Sequence, residues 1–135
     1  MLVDQHGVIR GPESENVTPS RSRFRILNPD GSMRGGPALP GYHTSYPALD
    51  AHGTAVFWRD GSLRSVDVDL HQRDLFHIPD DDRAVLSRVR LLDDGTIAFA
   101  IDNDLLVFRD VGLAPLAAGP WPCADGGIRG NPVIS

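Results

Sequence analysis

Arg21, Arg23 and Arg25 alternate with Ser22, Phe24 and Ile26. In an extended strand that spacing sets three guanidinium groups on one face, with the apolar side chains opposite. Such a stripe can hold phosphate or an acidic partner through charge-assisted hydrogen bonds. The plainer expectation, adopted here, is a solvated strand face whose charges discourage edge pairing. Asp67 and Asp69 read as sharing a strand face, and Asp80-Asp81-Asp82 is an acidic run. Paired carboxylates serve glycoside hydrolysis or bind a hard metal. Asp102-Asn103-Asp104 begins like a calcium loop but lacks the glycine and the distal glutamate, and Glu13 and Glu15 both fall in an early polar stretch. These acids are therefore read as solvated turns. His6, His43, His52, His71 and His77 form no i, i+4 helical pair, and Cys123 is the sole cysteine, so no metal site is expected. His6 and His52 fall at equivalent turn positions, which fits a structural hydrogen bond.

Trp58 and Trp121 can each stack on a sugar ring or a partner. Trp58 belongs to a run apolar on both sides and is expected in the core. Trp121, between Pro120 and Pro122, is an interface candidate. There is no Gly-x-Ser-x-Gly elbow. With no lysine in the chain, a lysine-bearing phosphate loop is impossible. No catalytic residue is assigned and no cofactor is expected. The binding candidates are Arg21, Arg23, Arg25 and Trp121.

The elements that position these residues follow from composition. All 13 basic residues are arginine, and only Glu13 and Glu15 among 18 acids are glutamate, so the long straight side chains that fill exposed helix faces are scarce. The 14 glycines and 11 prolines, with the many aspartates, supply turns. The class expected is all-β. A net charge of −5 repels a phosphate backbone, so nucleic acid is not the partner expected. One cysteine allows no intrachain disulfide, the N-terminus has no secretion pattern, and no apolar run reaches membrane-spanning length. The expected compartment is cytoplasmic, and Asn16-Val17-Thr18 is read as a chance glycosylation match.

Residues 49–63 return, altered, at 91–105, an offset of 42 without a gap. Residues 3–9 match 49–55 at an offset of 46, keeping Asp, His and Gly. Phe24 and Leu27 match Leu63 and Val66 at an offset of 39. A connection seven residues longer in the first copy reconciles the two offsets, and residues 11–20 are read as that polar loop. Asn28-Pro29-Asp30-Gly31 is a turn, and Asp60-Gly61 a hairpin signal. Strands are expected at residues 46–49, 54–58, 63–69 and 74–78, then 85–91, 96–101 and 105–108, with a reduced last strand at 113–118. Residues 54–58 and 96–101 are apolar on both faces, so both faces should be covered.

Units of about four short strands with a period near 40 residues resemble the β-propeller repeat superfamily over essentially the whole chain. The closest likeness is to the degenerate TolB-like and quinoprotein-like blades. His52-Gly53, residues 54–58 and Asp60-Gly61, then Asp94-Gly95 and residues 96–101, carry it. The chain departs from the tryptophan-aspartate repeat, having His-Gly for Gly-His and Trp58-Arg59-Asp60 for Trp-Asp. The resemblance implies about three four-stranded antiparallel blades in one unit spanning 1–135: copies at 2–45, 46–84 and 85–118 and a partial copy at 119–135. Closed propellers usually have roughly four to eight blades. Three resolutions follow: a piece of a larger propeller or assembly, preferred because residues 133–135 stop where a second strand should run; two copies closing a six-bladed ring; or a small sandwich or barrel that only looks repetitive. The expected function is a non-enzymatic interaction or scaffold module that binds a protein partner or itself. The alternatives are a lectin-like binder, disfavoured because Trp58 aligns with Ala100, and a propeller hydrolase or quinoprotein-type enzyme.

Overall fold

The structure is a computed structural model that describes residues 1–15, 21–39, 46–78, 88–101 and 103–123. One five-residue connection recurs in it, at residues 4–8, 28–32, 50–54, 67–71 and 92–96. In each, the first N–H donates to the fifth carbonyl and the fourth N–H donates back to the first carbonyl. The fourth residue is left-handed in every case: Gly7, Gly31, Gly53, Leu70 and Gly95 have φ between 67° and 86°. Glycine takes that conformation without a Cβ penalty. At Gly95 it is also required by space, since a Cβ there would lie 2.3 Å from the Leu113 carbonyl oxygen. Asp60 and Gly61 both have positive φ, at 52° and 72°, as a two-residue type I′ hairpin demands.

These turns fold the chain into three antiparallel meanders without crossovers. Sheet 1 comprises β1 (Leu2–Val3), β2 (Ile9–Glu15), β3 (Arg21–Leu27) and β4 (Met33–Leu39). Sheet 2 comprises β5 (Ala48–Leu49), β6 (Ala55–Arg59), β7 (Ser62–Val66) and β8 (Gln72–His77). Sheet 3 has three strands: β9 (Arg90–Leu91), β10 (Ile97–Ile101) and β11 (Asp104–Phe108). Sheets 1 and 2 share a register. Ile9 faces Leu27 in sheet 1 as Ala55 faces Val66 in sheet 2.

Sheet 2 is the middle layer. Ala55, Phe57 and Val66 pack against Leu2, Phe24 and Ile26 of sheet 1. Val56, Trp58 and Leu63 pack on the other side against Leu91, Ile97, Phe99 and Ile101. Every residue of β6 and β7 is buried. Phe24 stacks on Phe57 at 6.2 Å between ring centroids, and Trp58 meets Phe99 at 5.3 Å. Arg59, also buried, donates from Nη2 to the Ser22 hydroxyl at 2.9 Å and so joins sheets 1 and 2. Burial, and then the charge of Arg64, draw the Arg59 pKa downward.

A strap over residues 114–123 ties the first strands of the sheets together. Val3 and Trp121 exchange backbone hydrogen bonds at 2.8 and 3.2 Å. Leu49 N–H donates to Pro122 and its carbonyl accepts from Ala117, while Ala51 N–H donates to Pro115. Leu116 N–H reaches the Leu92 carbonyl at 3.4 Å.

The all-β reading holds, and several finer expectations are corrected. Residues 113–118 add no fourth strand beside β11. Gly95 admits Leu113 at close range and Asp50 anchors Ala114, so the chain turns inward onto β5. Residues 11–15 belong to β2 rather than to a loop, because their cross-strand partners on β3 satisfy them. The strand expected over 63–69 ends at Val66, where Asp67 starts a turn. Of the strand expected over 85–91, β9 holds Arg90–Leu91, and residues 85–87 lie outside the described residues, as do 40–45, 79–84 and the partial copy from 124 onward. No sheet closes on itself among the described residues. No helix among them is long and apolar enough to cross a membrane.

Candidate functional site

The repeated turns place the polar side chains. Asp4 Oδ1 accepts from the His6 and Val8 amides, at 2.8 and 3.0 Å, and Asp50 Oδ1 from those of His52 and Thr54, at 3.0 and 2.8 Å. Asp67 Oδ1 does the same for Asp69 and His71, both at 2.9 Å. These are Asx turns, in which the carboxylate ties its own backbone. A cleft of about 300 Å³ separates the turns of sheets 1 and 2 and is bordered by His6, His52, Asp4, Asp50 and Arg10. Arg10 Nη2 bonds Asp4 Oδ2 at 3.0 Å with both side chains largely buried. Asp50 Oδ2 accepts from the Ala114 amide at 3.0 Å. The cleft's carboxylates are thus committed to holding turns and strap.

Burial alone would raise the Asp4 pKa. The hydrogen bond from Arg10, those from the Val8 and His6 amides, and the Arg10 charge outweigh it and hold the pKa below the usual 3.8. At Asp67 burial is again opposed, here by the His71 and Asp69 amides and then by His71 itself. The Thr96 amide and hydroxyl lower Asp94. A carboxylate whose folded-state pKa is depressed contributes its full stability above the unfolded value and loses it as pH falls through the folded one. The thermal midpoint should therefore hold level from pH 7 to about 5 and drop once the pH passes below about 4. Thermal scans by circular dichroism check this. A midpoint already falling between pH 7 and 5 would place the controlling group elsewhere.

The arginine stripe lies where expected, on the outer face of β3, with Ser22, Phe24 and Ile26 buried behind it. Its members have local duties. Arg25 pairs with Glu13 across the strands, and Arg23 donates to the Gly36 carbonyl at 2.7 Å. Arg21 is exposed at the β3 start. Trp121 is on the strap, bonded through its backbone to β1 and partly exposed. Trp58 is in the core as read. Asp67, Asp69 and His71 bring ligand atoms within 4.8 Å of one another, but in a turn rather than on a strand face, with the Asp67 carboxylate engaged by that turn. His77 Nδ1 lies 2.8 Å from the Ser62 hydroxyl. His43, Asp80, Asp81, Asp82 and Asp102 lie outside the described residues.

What the sequence reading missed is a pair of open sheet faces. The apolar run of β10 predicts cover on both sides. Ile97, Phe99 and Ile101 do face sheet 2, but Ala98 and Ala100 point away from it with their cross-strand partners Val107 and Leu105. Leu105 is 72% exposed, Val107 49% and Tyr46 59%. Leu105, Tyr46, Ala98 and Ala100 border a shallow apolar trough of about 550 Å³, with Arg88 and Arg90 at its margin. At the opposite end of the stack, Ile9, Leu27 and Met33 share the outer face of sheet 1. There they surround a second, largely apolar hollow of about 390 Å³, with Met1, Glu13 and Arg25. The available signal was residue size: where sheet 2 carries Val56 and Trp58, sheet 3 carries Ala98 and Ala100.

No family model matches this chain, and neither a curated protein nor a solved structure does.

Proposed function

We propose that the chain is a non-enzymatic, propeller-type interaction module: its three sheets are successive blades, and its two end faces receive further β-structure from a protein partner. One observation carries this reading. Ala98, Ala100, Leu105 and Val107 occupy the face whose counterpart on sheet 2, built on Val56 and Trp58, is covered by a neighbouring sheet. Exposed apolar surface of that kind marks a place of association. The repeated turns and face-to-face stacking support the blade reading, and among the described residues the carboxylates of Asp4, Asp50 and Asp67 serve turns. A sugar-binding alternative gains nothing from Trp58, which is buried and has only Ala100 as its counterpart.

The test uses the face itself. The wild-type chain should either associate in light scattering or bind anilinonaphthalene sulfonate with enhanced fluorescence. The Leu105→Arg, Val107→Arg variant should do neither while keeping a cooperative thermal transition, because both side chains already meet solvent. A wild-type monomer that leaves the dye dark would overturn the reading.

A further inference from the structure

We infer that the occupant of both open faces is a second copy of this chain, with sheet 3 of each copy seated on sheet 1 of the other. This deepens the interaction-module reading and rests on it. Polarity is the first ground. At the junction of sheets 1 and 2, the contributing face of sheet 2 is Ala55 with Val66. The corresponding pair in sheet 1 is Ile9 with Leu27, and it points outward, where a preceding sheet would lie. At the junction of sheets 2 and 3, the face of sheet 2 is Val56 with Trp58. Its counterpart in sheet 3, Ala98 with Ala100, points outward, where a following sheet would lie. One end of the molecule thus presents the surface that the other end is built to cover, and a copy of the same chain carries both.

Residue volume is the second ground. Alanine in place of Trp58 and Val56 makes the sheet 3 face a trough. The sheet 1 face is the reverse, with isoleucine in place of Ala55 and leucine in place of Val66, flanked by Met33. Met1 lies over Gly11, the counterpart of Phe57: a Cβ on Gly11 would come within 3.4 Å of the Met1 Cα. Small residues on one face and larger, adaptable ones on the other interdigitate better than either face with itself.

Area decides between a closed pair and an open string. The strands of sheet 3, of two, five and five residues, present roughly 200 Å² of projected face at ordinary strand spacing and rise. A single such junction buries roughly 400 Å², the scale of an incidental contact, whereas two together bury roughly 800 Å², nearer the roughly 1,000 Å² of a specific interface. A head-to-tail contact whose rotation closes after two copies makes both junctions at once, giving a ring of six sheets.

Light scattering at tens of micromolar should give twice the 14.7 kDa chain mass, at a plateau that does not grow with concentration. Each end is then blocked separately, by Leu105→Arg with Val107→Arg and by Leu27→Arg with Met33→Arg. Head-to-tail closure uses both faces in both junctions, so each variant alone should be monomeric, with a cooperative thermal transition whose midpoint, unlike that of the wild type, does not depend on concentration. A variant of either end that remains dimeric would overturn the arrangement, showing one face paired with itself. A mass that rises without plateau would overturn the closed ring. A wild-type monomer that binds the dye would overturn the second copy as occupant while leaving the interaction-module reading standing. A wild-type monomer that leaves the dye dark would remove both.

Discussion

Replacing Trp58 by alanine should cost about 3–5 kcal/mol, the range for deleting a large aromatic from a closed core. Trp58 is 1% exposed and lies at the centre of the junction between sheets 2 and 3, between Leu63 on its own sheet and Phe99 opposite. Around it, sheet 3 is held by the Phe76–Phe108 ring contact at 4.8 Å, the Val89 N–H bond to the Tyr46 carbonyl and the strap bond at Leu92, all nearer the edges of the junction. A domain of ordinary stability has about 5–15 kcal/mol in total, so the variant should unfold early in urea or fail to accumulate folded. Trp58→Phe keeps most of the contact and should lose about 1–2 kcal/mol. Urea titrations followed by circular dichroism measure both. A loss below about 1 kcal/mol for the alanine variant would mean that the junction collapses around the gap or was never tight.

Removing the Asp50 carboxylate has the second largest expected effect, and for a different reason. Asp50 is 2% exposed and its two oxygens satisfy three backbone amides, those of His52, Thr54 and Ala114. The last belongs to the strap, so a single side chain closes a turn and anchors a segment distant in sequence. Leaving buried donors unsatisfied costs about 1–3 kcal/mol each, less whatever water recovers. Asp50→Ala should therefore lose about 3 kcal/mol, and Asp50→Asn, which keeps one acceptor oxygen, about 2. The matched control is Asp67→Ala. That carboxylate makes the same two turn bonds at an exposed site, where a lost cap costs about 1 kcal/mol. Equal losses at the two positions would show that the strap bond adds nothing.

Much of the backbone was legible in the sequence, because turn chemistry and the repeat are local signals. Gly7, Gly53 and Gly95 each mark a left-handed position one turn into a unit, and Asp60-Gly61 can hardly be anything but a hairpin. Ile9 faces Leu27 and Ala55 faces Val66, registers compatible with the offsets. The strap was not legible. Residues 113–118 are short and apolar enough for a strand, and only the close approach of Leu113 to Gly95 and the bond from Ala114 to Asp50 redirect them. Both contacts join residues far apart in the chain. Residues 11–15 misled for the opposite reason. Glycine and proline usually end strands, but Gly11 and Pro12 are paired with Arg25 and Phe24 in a hairpin long enough to carry them.

The candidate site divides in the same way. The arginine stripe follows from period-two alternation, and Trp58 from its apolar surroundings. The open face of sheet 3 required knowing which neighbour stands beside each sheet. Continuous apolarity at residues 96–101 predicts that both flanks are buried. It cannot distinguish a flank covered within the chain from one that a partner must cover, and Ala98 and Ala100 belong to the second kind.

The order of the three sheets is the claim on which the rest depends, and aromatic contacts in solution test it most directly. Nuclear Overhauser spectra should connect the Trp58 indole with the Phe99 ring, and the Phe24 ring with that of Phe57, since these pairs span the two junctions at 5.3 and 6.2 Å between centroids. Cross-peaks in both pairs place sheet 2 in the middle. A folded spectrum in which Phe24 instead contacts Phe99 would put sheet 1 directly against sheet 3 and contradict the account.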